Sequence, residues 1–240
     1  MTNPLLVALD VESGDRALQI AGNLRGVAGG FKIGSRLFTS EGPSIVTTLA
    51  GRGDRVFLDL KFHDIPNTVA AAIEAATRLG VWMVNVHASG GVRMMREAAD
   101  AARAAAARSG KPAPMVIAVT VLTSMSDAAL AETGVGASMM AQVARLARLT
   151  QDAGLDGVVA SPRETSMIRK ECGADFVIVT PGIRGGSAAT SVQDDQERTM
   201  SAREAVEAGA SYIVVGRPII AAVNPRDAAA RIAAEVGLGS

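Results

Sequence analysis

The stretch RVFLDLKFHDIPNTVAAAIEAATRLG, Arg55–Gly80, decides the fold. Residues 55–62 form a short apolar run that ends in a turn signal, as a buried parallel strand does. Residues 67–79 are Ala-rich, with polar side chains at helical spacing. A strand followed by a helix is one β/α unit, and the unit recurs along the chain. Comparable apolar runs, many of them rich in β-branched residues, are LLVALD (5–10), GGFKIG (29–34), VWMVNVHA (81–88), MVIAVTVL (115–122), GVVAS (157–161), FVIVTPGI (176–183) and YIVVGRPI (212–219). Helical spacing recurs over 15–25, 92–108, 139–153 and 202–208, and Asn224-Pro225 reads as a helix start. Eight such strands in 240 residues predict an α/β chain folded as a (β/α)8 TIM barrel, one domain over residues 1–240. The competing architecture is an open doubly wound sheet. Its usual Gly-x-Gly-x-x-Gly turn does not follow the first strand.

Composition narrows the function. Hydrophobic residues make up 48% and charged residues 20%, with a formal net charge of zero. Such a chain has no overall basic footprint for nucleic acid, and five Phe, one Trp and one Tyr offer little for base stacking. No nucleic-acid partner is expected. A single cysteine, Cys172, excludes an internal disulfide, so no oxidising compartment is required. No Cys/His cluster has zinc spacing. The opening MTNPLLVALD lacks a basic n-region, and no run of about 20 apolar residues could span a bilayer. The expected location is the cytoplasm, away from membranes.

Lysine is scarce: Lys32, Lys61, Lys111 and Lys170 are the four among 24 basic residues. Two of them, Lys32 and Lys61, lie in or just after apolar runs, where a charge needs a reason. In a (β/α)8 barrel the active site gathers at the C-terminal ends of the strands. Those ends carry Asp10, Lys32, Asp59 with Lys61 and Asp64, His87, Thr123, Ser161, Arg184, and Gly216 with Arg217. Asp59 and Lys61 are two apart and share a face of a regular strand. Lys32 ends the preceding strand. The expected array is therefore Lys32–Asp59–Lys61–Asp64, in alternating charge. Carboxylates beside an ammonium favour its protonated form, which suits a general acid better than a Schiff-base lysine. The bland alternative is a solvated turn with incidental charges.

The second theme is anion binding. Gly216 lets backbone N–H groups approach an anion, and Arg217 adds a charge-assisted contact. Arg184 in PGIRGG repeats the pattern one strand earlier, and barrels often hold phosphate at the loops after strands seven and eight. Between them, RGGSAATSVQDDQERT (184–199) is long, small and polar without periodicity, as lids and binding loops are. His63 and His87 read as turn and core histidines, Ser161 before Pro162 as a cap, and Met94, Met95, Met139, Met140 and Trp82 as packing.

Taken together, DLKFHDIPNT (59–68), FKIG (31–34), ALD (8–10), TVLTS (120–124), PGIR (181–184), DQERT (195–199) and GRPI (216–219) resemble the orotidine 5'-phosphate decarboxylase family, in order and over essentially the whole chain. The resemblance implies decarboxylation of orotidine 5'-monophosphate to uridine 5'-monophosphate, the last step of de novo UMP synthesis, without cofactor or metal. It also implies a homodimer with shared active sites. By motif position Lys61 is the proton donor, and Lys32, Asp59 and Asp64 complete the array, Asp64 reaching in from the partner. Asp10, Lys32 and the partner's Thr68 are implied at the ribose, and Thr123 and Ser124 at the pyrimidine. Arg184, Gly216, Arg217 and Gln196 are implied at the phosphate. Gln196, within Asp195-Gln196-Glu197-Arg198, matches the family's Asp-Gln-x-Arg better than Gln193 does, although this loop is longer than the family's.

Two other readings remain open. A Mg²⁺-dependent 3-keto-hexulonate-phosphate decarboxylase of the same superfamily shares Asp-x-Lys-x-x-Asp. The continuation Ile65-Pro66-Asn67-Thr68 and the Thr123-Ser124 pair favour the pyrimidine enzyme. A non-catalytic phosphate-ligand sensor needs Arg184 and Arg217 but has no use for Lys61.

Overall fold

Each apolar run of the sequence contributes one strand of a barrel, and these strands close on themselves because each buries both of its faces. A computed structural model describes residues 3–184 and 200–237. The chain begins with β1 (Leu5–Ala8), α1 (Gly14–Leu24) and β2 (Gly30–Gly34). Two short helices, α2 (Ser35–Glu41) and α3 (Ser44–Gly51), lead to β3 (Val56–Phe62) and α4 (Pro66–Arg78). β4 (Met83–His87), α5 (Gly91–Ser109) and β5 (Met115–Val119) follow. Next come α6 (Asp127–Glu132), α7 (Met139–Asp152), β6 (Gly157–Val159), α8 (Thr165–Cys172) and β7 (Val177–Thr180). Two-residue strands β8 (Ile183–Arg184) and β9 (Met200–Ser201) precede α9 (Ala202–Glu207) and β10 (Tyr212–Val215). α10 (Arg217–Ile220) and α11 (Pro225–Glu235) end the described chain.

The barrel closes in the order β1-β10-β7-β6-β5-β4-β3-β2, all parallel. The expected (β/α)8 barrel is therefore the fold, and the open sheet is not. Side-chain parity divides its core in two. Leu6, Ala8, Phe57, Met83, Ile117, Val179 and Val214 fill the barrel interior. Their neighbours in sequence, such as Leu5, Val7, Leu58, Val84 and Ile213, face the helices. α5 covers that outer layer with Met94, Met95, Ala98, Ala99, Ala102, Ala105 and Ala106, spaced as one helical stripe. Met139 is buried as expected, whereas Met140 turns outward and is 44% exposed.

Capping follows the sequence closely. Ser13 and Ser138 accept backbone N–H bonds at the starts of α1 and α7. Asn224 caps α11 with Pro225 at the first helical position, as its dipeptide predicts. Ser161 is a cap too, in a reciprocal capping box with Glu164.

The barrel's lower end is sealed. Trp82, just ahead of β4, meets Tyr212 edge-on at 5.2 Å, and the Arg55 guanidinium lies 5.3 Å from the Trp82 ring centre. The upper end, where the strands finish, is where the polar groups collect. Two stretches differ from the sequence reading there. FVIVTPGI is not one strand: β7 stops at Thr180, and Ile183–Arg184 pairs with Met200–Ser201 in a separate parallel ribbon. YIVVGRPI likewise breaks at Gly216, whose backbone leaves the strand region, and Arg217–Ile220 coil into α10.

Candidate active site

A row of alternating charges crosses the mouth of the barrel. Asp10 lies just beyond β1, Lys32 on β2, and Asp59 and Lys61 on β3. Lys32 Nζ is 3.2 Å from Asp10 Oδ1 and 3.3 Å from Asp59 Oδ2. Lys61 Nζ donates to Asp59 Oδ1 at 2.7 Å. The two lysines thus share one carboxylate. Space for them comes from glycine: a Cβ added at Gly34 would lie 3.0 Å from Lys32 Nζ and 3.3 Å from Asp10 Oδ1. Gly216 flanks the same group, since a Cβ added there would lie 3.8 Å from Asp10 Oδ2.

The expected array has Asp64 as its fourth member, reaching in from a partner subunit, and within one chain Asp64 stands apart from the other three. Asp64 is exposed, its Oδ1 accepts the N–H of Ile65, and it forms no ion pair among the described residues. The turn at residues 63–65 carries it away before Pro66 opens α4, and Asp10 stands at the other end of the row.

The reason Asp59 and Lys61 meet also differs from simple strand alternation. Leu58 pairs with Val84 and Phe62 with Val86, so β3 advances four residues while β4 advances two. A bulge holds the extra residues, and bulges re-aim side chains next to active sites. Lys61 sits in it with φ 53°, the one non-glycine residue at positive φ among those described. Such a backbone costs on the order of 1–3 kcal/mol and persists only when its surroundings hold it. Asn85 on β4 does so: its Oδ1 accepts the Lys61 N–H at 2.8 Å, and its Nδ2 donates to Asp59 Oδ1 at 2.7 Å. Sequence reasoning passed over Asn85. Its signal was a lone amide inside the apolar run VWMVNVHA, in step with Met83 and His87 on the interior face.

Burial pushes the Asp59 carboxyl up, but the Lys32 and Lys61 ammonium groups and the hydrogen bonds from Lys61 and Asn85 outweigh it. Its pKa falls below the ordinary carboxylate value. The linkage has a definite sign. A depressed folded-state pKa contributes stability that is full above the unfolded value of about 3.9 and is lost as pH falls through the folded value. Asp59→Asn is expected to destabilise the protein at pH 7 by about 2–3 kcal/mol. That is less than removal of a partner from a fully buried pair, because the Lys61 side chain is 36% exposed. Thermal unfolding from pH 7 down to pH 3 checks this: the gap between parent and variant should narrow below about pH 4. A gap independent of pH would contradict it.

His87 is half-buried and its ring lies 5.5 Å from that of exposed His63, tilted by 33°. Burial, then His63 and Lys61, lower the His87 pKa and favour its neutral form. The pair borders the array without hydrogen-bonding to it in the described contacts.

The remaining candidates are spread around the mouth. Thr123 is half-buried and Ser124 exposed on the loop after β5. Thr68 is exposed in the first turn of α4. Arg217 is exposed where α10 begins, directly after Gly216. Arg184 lies on β8, at the near end of the loop it was expected to share with Gln196. Gln196 and Gln193 lie outside the described residues. No cluster of three or more His, Cys, Asp or Glu suited to a metal ion occurs among the described residues. No helix among them is long and apolar enough to cross a membrane.

The chain as a whole is similar to known proteins. Residues 3–232 match the model of the orotidine 5'-phosphate decarboxylase / HUMPS family. An orotidine 5'-phosphate decarboxylase of Moorella thermoacetica is 53% identical over 233 residues, covering 97% of this chain and 91% of its own. One from Syntrophotalea carbinolica is 52% identical over 232 residues, covering 97% and 94%. The crystal structure of orotidine 5'-phosphate decarboxylase from Lactobacillus acidophilus superposes with a TM-score of 0.85 at 36% identity, covering 98% of this chain and 99% of that one.

Proposed function

Because this chain belongs to the orotidine 5'-phosphate decarboxylase / HUMPS family, we propose that it converts orotidine 5'-monophosphate to uridine 5'-monophosphate and CO₂, with Lys61 as the proton donor. The observation that carries the assignment of roles is the shared carboxylate: Asp59 holds two ammonium groups, and Lys61 reaches it from a strained, clamped backbone.

The chemistry asks for such an arrangement. When the bond from C6 to the carboxylate breaks, CO₂ departs and the electron pair stays on C6 in the ring plane. No adjacent carbonyl can delocalise it as an enolate. Fixed positive charge must stabilise the anion, and a preorganised ammonium does so without reorganisation at the moment of reaction. Lys61 then transfers one N–H proton to C6 and is reprotonated from solvent. Asp59 keeps Lys61 charged and aimed. Lys32 balances Asp59 and, with Asp10, meets the ribose hydroxyls. Thr123 and Ser124 line the pyrimidine side.

Arg184, Gly216, Arg217 and Gln196 take the phosphate, remote from the bond that breaks. Binding energy gathered there can be used to close the site and order the charges. β8 and β9 support this reading, because they hold residues 184 and 200, the two ends of that loop, near one another.

The working unit is a homodimer in which Asp64 and Thr68 complete the partner's site. Both are exposed at the start of α4, and Ile65 between them is 66% exposed. Mixing Lys61→Ala with Asp64→Ala subunits tests it. Each variant alone should be nearly inactive, while hybrids contain one intact site in two and should regain up to about a quarter of parental activity under random exchange. No recovery after verified exchange would contradict shared sites. A chain with one cysteine needs no oxidising compartment, and we place it in the cytoplasm.

The direct assay is loss of orotidine 5'-monophosphate absorbance in excess EDTA. Turnover supports the reading. A folded dimer that turns over only with added Mg²⁺, on a sugar-phosphate acid, would point to the rival decarboxylase. Tight nucleotide binding without turnover would point to a sensor.

A further inference from the structure

We infer that Asn85 is a positioning residue for this reaction: its amide ties the Lys61 main chain to the Asp59 carboxylate and so fixes the Lys61 ammonium where negative charge develops. The inference rests on the decarboxylase reading above. Asn85 is fully buried in the middle of β4, among Met83, Val84 and Val86. A lone amide there needs both of its ends satisfied. Oδ1 accepts the Lys61 N–H at 2.8 Å, and Nδ2 donates to Asp59 Oδ1 at 2.7 Å. The same Asp59 Oδ1 accepts a hydrogen bond from Lys61 Nζ at 2.7 Å. The contacts close a ring that runs through the Lys61 backbone, along its side chain to Asp59, and back through Asn85.

Only one orientation of the amide serves both partners. A main-chain N–H requires the oxygen, and a carboxylate requires the nitrogen. The bulge explains why the first contact is needed. Between the Leu58–Val84 and Phe62–Val86 pairs the regular ladder is interrupted, and the Asn85 side chain accepts the Lys61 N–H in its place. The second contact supplies Asp59 with a neutral donor, which favours its charged form against burial without adding a third cation. Lys61 Nζ is thus constrained from its own backbone and from its carboxylate partner by one side chain.

Asn85→Leu removes both contacts and keeps the branched shape of the side chain. Asn85→Asp keeps the acceptor for Lys61 N–H but turns the donor to Asp59 into a second carboxylate. The experiment compares parent and both variants for kcat and KM on orotidine 5'-monophosphate, pH profile, Tm, and Kd for uridine 5'-monophosphate. We expect kcat of Asn85→Leu to fall by roughly 10- to 100-fold, the loss of one charge-assisted buried contact, with Kd for the product within about twofold. Two carboxylates in contact hold a proton to higher pH, so the acidic limb of kcat/KM in Asn85→Asp should move up by about one pH unit or more. A purely structural asparagine would lower Tm and leave kcat of the folded Asn85→Leu variant near the parental value. Should Asn85→Leu fail to fold, Asn85→Ala is measured in its place. An active parent with parent-like kcat in Asn85→Leu, or an unmoved limb in Asn85→Asp, overturns the inference. An inactive parent overturns the decarboxylase reading itself.

Discussion

Lys61→Ala should lose at least about 10⁴-fold in kcat/KM, because the substitution removes a general acid and a preorganised charge together, each contributing about 10²-fold or more. The loss should fall on kcat. The phosphate and ribose groups that bind the substrate elsewhere are untouched, so the Kd for uridine 5'-monophosphate should change far less than turnover. Taking away the ammonium also leaves Asp59 with Lys32 as its one remaining lysine partner. A Lys61→Ala variant that folds, forms dimers and retains about a hundredth of parental kcat would be incompatible with Lys61 as proton donor. Steady-state kinetics with product titration on the same preparation checks both points.

Arg217→Ala should show the next largest effect, a fall in kcat/KM of about 3 kcal/mol, or roughly 10²-fold, for loss of a charge-assisted contact to the phosphate. The loss should depend on the phosphate. With the nucleoside orotidine, which lacks it, parent and variant should be equally slow. An equal fractional loss on nucleotide and nucleoside would mean that Arg217 acts on the barrel mouth generally. Because α10 is one turn long and begins at this residue, Tm needs to be compared alongside the kinetics.

What could be read in advance followed from periodicity. The strand runs ending at Ala8, Gly34, Phe62, His87, Val119 and Val159 were each visible as short apolar segments, and barrel closure then placed their polar ends together. Caps at Ser161 and Asn224 were equally legible, because they rest on local hydrogen bonding. The losses are of another kind. Period-two counting puts Asp59 and Lys61 on one face, and they do meet, but through a bulge and a left-handed backbone at Lys61 that no local pattern announces. Asn85 escaped notice for a related reason. Its role exists only once β4 lies beside that bulge, so the information is in the pairing of two strands. Asp64, assigned by motif position to the partner's array, lies outside this chain's own row, because the turn before Pro66 leaves it exposed. The helices between β2 and β3 were missed because Gly42-Pro43 splits one covering segment into α2 and α3.

The central claim is that an ammonium at position 61, held by Asp59, protonates C6. Chemical restoration of that group tests it most directly. Lys61→Cys should be silent, and alkylating the new thiol with 2-bromoethylamine would rebuild a side chain of lysine's length ending in an ammonium. The native Cys172 interferes little: it is buried, and burial followed by Glu171 raises its thiol pKa. Alkylated parent enzyme serves as its control. We expect turnover of orotidine 5'-monophosphate to return by at least about 10²-fold on modification, the lower bound of a general-acid contribution. Complete alkylation at position 61, verified by mass spectrometry in a folded dimer, with no gain in turnover would contradict the claim.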